Sequence, residues 1–201
     1  TNSPTREDVP LYLFAGQSNM EGKSTDTSEC DKVWTTNSLG FVPTQIHNSK
    51  IFRFENVSLG KTGSFVDYTY SCKKDERTPN GFAAESLYPY HTSPMHFFAQ
   101  RMATLQPDTK HRYVFVSRGS TGFGFNTDKI DEENPKAGME WSVSYANNAT
   151  YTATYSLFDT AIDVKRPRGY LAKFLNDSYH QAYQTIIDEG YNPICTSLLW
   201  V

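Results

Sequence analysis

The clearest hydrophobic signals along the chain are short, dense and widely separated. Leu11-Tyr12-Leu13-Phe14-Ala15 follows Pro10 and ends at Gly16, the pattern of a buried strand. Lys50-Ile51-Phe52-Arg53-Phe54 is the one strand-like run in the polar stretch 23–90. Ser93-Pro94 then predicts a helix start, because serine caps well and proline suits the first helical position. Met95, Phe98, Ala99 and Met102 share one face of that helix, which must end before Pro107. Tyr113-Val114-Phe115-Val116 reads as the next strand. Trp141, Val143 and Tyr145, then Tyr151, Ala153 and Tyr155, alternate around Asn147-Asn148 and predict a hairpin. Residues 169–189 carry a long amphipathic pattern closed by Gly190 and Pro193, and residues 194–201 form a last apolar strand.

Strands that alternate with helices predict an α/β domain with a parallel sheet flanked by helices. All 201 residues fit one domain, with long polar insertions over about 23–90 and 126–168. The sheet reads as unfinished, because nothing follows the strand that runs to Val201.

Charge and composition narrow the partners. A formal net charge of -3 supplies no electrostatic reason to bind nucleic acid or an anionic membrane. No apolar run approaches the roughly 20 residues a membrane-spanning helix needs. Four acids and one lysine between Asp128 and Glu133 lack calcium-loop spacing and read as a solvated surface. The histidines His47, His91, His96 and His111 have no metal-ligand spacing and read as surface or packing residues. Neither a metal nor a cofactor is expected. Gly119, Gly122 and Gly124 fit no phosphate-binding motif.

Two features predict secretion. Asn56, Asn148 and Asn176 each head an acceptor sequon for N-glycosylation. A chain that starts at Thr1 fits one whose leader has been removed. Cys30 and Cys72 lie in loop-like sequence, where a disulfide would staple an irregular insertion. Cys195 falls in an apolar run, as a small buried thiol or the partner of a cysteine beyond Val201.

Candidate chemistry centres on Gly16-Gln17-Ser18-Asn19-Met20-Glu21-Gly22, the loop after the first strand. A serine on a sharp strand-to-helix turn is exposed beside backbone N–H donors, which acyl transfer requires. The plain alternative is an ordinary turn in which Ser18 caps a helix. Leu13-Phe14-Ala15-Gly16-Gln17-Ser18-Asn19-Met20-Glu21-Gly22 closely resembles the first block of the SGNH hydrolases related to sialate O-acetylesterases and acetylxylan esterases. Ser93-Pro94-Met95-His96-Phe97-Phe98-Ala99 resembles that group's Gly-Pro-x-x-x-Phe-Ala helix start, with serine in place of glycine. Ser117-Arg118-Gly119-Ser120 stands where the group has a strand followed by Gly-Gly-Thr or Gly-Gly-Ser, and Leu198-Leu199-Trp200-Val201 resembles the strand before its Gln-Gly-Glu block.

That resemblance implies a flavodoxin-like three-layer sandwich and a serine esterase that removes O-acetyl groups from a carbohydrate. Ser18 would be the nucleophile, and its amide and that of Gly119 two oxyanion donors. The third donor and the histidine base would come from Gln-Gly-Glu and Asp-x-x-His blocks beyond Val201. Ser120, in place of a second glycine, and the long insertions depart from the group's pattern. Tyr68, Tyr70, Tyr88 and Tyr90 are candidates to stack on sugar rings, or simply to pack the loops. The rival reading is a non-catalytic relative, a carbohydrate-binding or structural glycoprotein of an extracellular assembly. Asp177-Ser178-Tyr179-His180 matches the Asp-x-x-His spacing, but His180 and Asp177 point away from the helix's apolar face, so the match reads as a decoy.

Overall fold

A computed structural model describes residues 5–16, 18–21, 45–54, 62–69, 93–117, 141 and 170–201. In chain order the elements are β1 (Asp8–Gly16), α1 (Ser18–Glu21), β2 (Gln45–Phe54) and β3 (Gly63–Thr69). They continue with α2 (Pro94–Leu105), β4 (His111–Ser117), α3 (Tyr170–Asp188) and β5 (Asn192–Trp200). The five strands make one sheet in the order β3-β2-β4-β1-β5.

β1 is paired on both sides, parallel to β4 and parallel to β5. β2 continues the parallel sheet beside β4, and β3 pairs antiparallel to β2 at the outer edge. The sheet is therefore mixed, which corrects the all-parallel expectation. A strand next to its sequence neighbour needs no crossover helix, and β3 takes that route. β3 itself was not expected, because Gly63–Thr69 lies in a stretch that its polar composition marks as loop.

Alternation along the strands sorts side chains to two faces. Val9, Leu11, Leu13 and Ala15 of β1, with Val114 and Val116 of β4, pack on Leu171, Phe174, Ala182 and Ile186 of α3. Tyr12, Phe14, Tyr113 and Phe115 turn the other way, onto Met95, Ala99 and Ala103 of α2. β1 and β4 are thus covered on both faces, which is why their central residues read as unbroken apolar runs. The two helices lie on opposite faces, as a three-layer α/β arrangement requires.

The helix ends follow the sequence signals. The Ser93 hydroxyl accepts from the Met95 amide, Pro94 takes the first turn, and the backbone of Gln106 closes on the Met102 carbonyl. At the end of α3, Gly190 adopts φ 91°. Its amide donates to the Ile187 carbonyl and that of Tyr191 to the Ile186 carbonyl, a Schellman closure. β5 begins at Asn192 and carries Pro193, acceptable in a strand whose outer side is unpaired among the described residues. Ile194, Leu198, Trp200 and Val201 are exposed along it.

Candidate functional site

Gly16 ends β1 with φ 152°, a conformation that favours glycine. The space there demands glycine as well. A Cβ on Gly16 would lie 1.8 Å from the Val201 carbonyl oxygen. The chain then enters α1 at Ser18, so Ser18 stands two residues beyond the carboxyl end of β1, an interior strand of the sheet. Met20 in the same turn is buried with no exposure and packs in the core on the α2 face.

Three neighbouring elements hold this turn. The Val201 amide donates to the Ala15 carbonyl at 3.2 Å, extending the β5 ladder to the end of β1. Ser117, the last residue of β4, donates from Oγ to the Gly16 carbonyl at 2.9 Å. Ser93, the cap of α2, donates from Oγ to the Met20 carbonyl at 2.6 Å. Both serines are buried, so each bond replaces water that the carbonyl has lost. Neither tether was read from the sequence. Ser93 was legible only as a helix cap, and Ser117 only as the end of a strand.

Beneath this turn, on the α2 face, lies an aromatic cluster with a polar pair inside it. The Tyr68 hydroxyl and His96 Nδ1 are 2.5 Å apart, and both residues are fully buried. Tyr68 also meets Tyr113 edge to face at 5.4 Å. Tyr68 is therefore a packing residue, the second of the two roles open to it, and is not exposed to stack on a sugar ring. Burial, reinforced by neighbouring Tyr12, pushes the Tyr113 phenol far above its ordinary pKa, so it stays neutral.

The opposite, amino end of the sheet carries the charges. Arg112 is buried against Phe65, 5.4 Å from the ring, and reaches Glu189 at 3.8 Å. Burial lowers its pKa, against the raising effect of Glu189 and three further groups. His111 is also buried, with Nε2 3.2 Å from the Gln106 carbonyl, and its pKa is lowered. The largest cause is burial, countered by the Gln106 bond and aided by the charge of Arg112. A neutral ring with its proton on Nε2 fits this setting. Lys110 pairs with Glu7 at 2.6 Å and lies over the Tyr191 ring.

His180 is exposed on α3, whereas Asp177 is partly buried, which corrects the expectation that both point away from the helix's packed face. Burial raises the Asp177 pKa, and the nearby His180 opposes that shift. Ser178, between them, is fully buried and donates to the Phe174 carbonyl at 2.6 Å. Asn176, the sequon residue of α3, is exposed. Cys195 is exposed on the edge strand β5, which corrects its expected burial. Gly119, Cys30, Cys72, Asn56, Asn148, Tyr70, Tyr88, Tyr90 and His91 lie outside the described residues, as do the acidic run and the hairpin except Trp141. Among the described residues, no group of three or more histidine, cysteine, aspartate or glutamate residues could hold a metal ion. No described helix is long and apolar enough to cross a membrane.

The fold and turn define a mixed α/β sheet with a serine just beyond the carboxyl end of the interior strand β1. Comparison of the chain with family models, curated proteins and solved structures gave no match.

Proposed function

We infer that this chain carries the nucleophile of a secreted serine esterase that removes O-acetyl groups from a carbohydrate. The observation that carries the reading is the Gly16–Ser18 turn, which stands between the ends of β4 and β5. Ligands of open α/β sheets bind at the carboxyl ends of the strands, so the turn lies where a substrate is expected. The backbone at residue 16, which accommodates only glycine, and the motif around Ser18, which resembles the first SGNH block, point the same way.

In this reading Ser18 Oγ attacks the acetyl carbonyl carbon. The amides of Ser18 and Gly119 stabilise the oxyanion. A histidine takes the hydroxyl proton and returns it to the sugar oxygen as the ester bond breaks. Water then hydrolyses the acetyl-serine, releasing acetate and restoring the hydroxyl. The exposed His180 is not that base. A Cys30–Cys72 disulfide and glycans at Asn56, Asn148 or Asn176 belong to the same reading, and peptide mapping of unreduced native material detects them.

The test is acetate release from O-acetylated sialoglycans and acetylated xylan by the full-length protein. Ser18→Ala is expected to lower the rate by about 10⁴-fold or more. Release that survives in Ser18→Ala contradicts the assignment. Binding of these glycans without any release favours the non-catalytic carbohydrate-binding reading.

A further inference from the structure

Two buried serines from different elements grip the main chain on either side of Ser18. Ser117 holds the carbonyl two residues before it, and Ser93 holds the carbonyl two residues after it. The donors lie far away in sequence, 101 residues from Gly16 and 73 from Met20. Both are fixed by the sheet and by α2 rather than by the loop itself. We propose that Ser93 and Ser117 are positioning residues: together they clamp the main chain on either side of Ser18 in the conformation from which Ser18 reacts.

The geometry of Ser93 shows more than helix capping. Its one hydroxyl accepts from the Met95 amide at 3.3 Å and donates to Met20 at 2.6 Å. Capping needs only the first bond, and glycine caps nearly as well. The second bond connects the start of α2 to α1, and a glycine there would lack it. Ser117 acts from the other side. As the last residue of β4 it faces the carbonyl of Gly16, whose main chain lies against Val201. The turn is thereby held at Ala15, Gly16 and Met20. A nucleophile displaced by about 1 Å loses up to a hundredfold in rate, so such holding has a direct kinetic consequence.

The role in catalysis rests on the esterase reading, whereas the clamp itself is measured independently of it. The experiment compares the full-length wild type with Ser93→Gly, Ser93→Thr, Ser117→Ala and Ser117→Thr by two readouts. The first is hydrogen–deuterium exchange of peptides spanning residues 16–21. The second is the rate of fluorophosphonate labelling at Ser18, with urea midpoints recorded alongside. Ser93→Gly leaves capping nearly intact, so it separates the tether from the helix. Exchange in residues 16–21 is expected to rise roughly five- to tenfold in Ser93→Gly and Ser117→Ala. Labelling is expected to slow by roughly ten- to a hundredfold. The threonine variants, which keep the hydroxyl, restore both. Exchange and labelling that stay at wild-type values in Ser93→Gly and Ser117→Ala overturn the proposal. So does a labelling loss explained wholly by a fall in the urea midpoint. A wild type that never labels, with exchange still rising in the variants, supports the clamp and overturns the esterase reading.

Discussion

The two ends of the sheet are held by different chemistry. At the amino end several contacts join polar side chains, each with at least one charged partner: Lys110 with Glu7, Arg112 with Glu189, and Asn192 with the Asp8 carboxylate. At the carboxyl end the contacts run from neutral serines and one amide to main-chain carbonyls. A partly exposed ion pair such as Lys110–Glu7 is individually weak and tolerates small movements. Buried bonds to main-chain carbonyls fix the path of the chain, and losing one strands a desolvated acceptor. Such bonds hold the main chain at Gly16 and Met20, on either side of Ser18.

This contrast breaks most easily at Gly16. Gly16→Ala combines a strained φ with a Cβ that overlaps the Val201 carbonyl. A loss on the order of 3 kcal/mol is expected, read as a lower urea midpoint with an unchanged slope. A variant within about 0.5 kcal/mol of wild type would show that the turn is looser than described.

His111 sharpens the contrast at the opposite end through pH. Its folded pKa lies below the ordinary 6.5, so between those two values the unfolded chain binds more protons than the folded one. The stabilisation is complete above pH 6.5 and is lost as pH falls through the folded value. His111→Phe keeps an aromatic ring beside Tyr12, 6.0 Å away in the wild type, and removes the titration. Urea midpoints measured from pH 7.5 downwards are expected to fall less steeply below 6.5 in the variant than in the wild type. Parallel curves would assign the acid loss to other groups.

The smallest effect is expected at Lys110 and Glu7, whose side chains are about a third and a half exposed. A double-mutant cycle with Lys110→Ala and Glu7→Ala should give a coupling of about 0.5 kcal/mol or less, shrinking further in high salt. A larger coupling would mean that the amino end, too, is rigidly specified.

The sequence made the covered parts of the fold legible because apolar periodicity is strong there. Residues 11–15 and 113–116 announce strands covered on both faces, and Leu171, Phe174, Ala182 and Ile186 mark the inner stripe of α3. β3 was hidden because Phe65, Val66 and Tyr68 sit among polar residues, and its role depends on a neighbour, β2. The early start of β2 was hidden too. Asn48 adopts φ 50° where the pairing register shifts, and its side chain donates to the Pro107 carbonyl at 2.6 Å. Such a kink leaves little trace in hydrophobic pattern. At the candidate site, Ser18 was visible through its glycine-flanked motif, whereas Ser93 and Ser117 act through contacts 73 and 101 residues distant. No local pattern encodes a partner that far away.

Covalent labelling shows directly whether Ser18 is a reactive nucleophile. Full-length protein is treated with a fluorophosphonate, digested, and the modified peptide located by mass spectrometry. One adduct per chain is expected, on Ser18, and none on Ser18→Ala. Stoichiometric labelling at another residue, or a folded wild type that takes up no label, would contradict it.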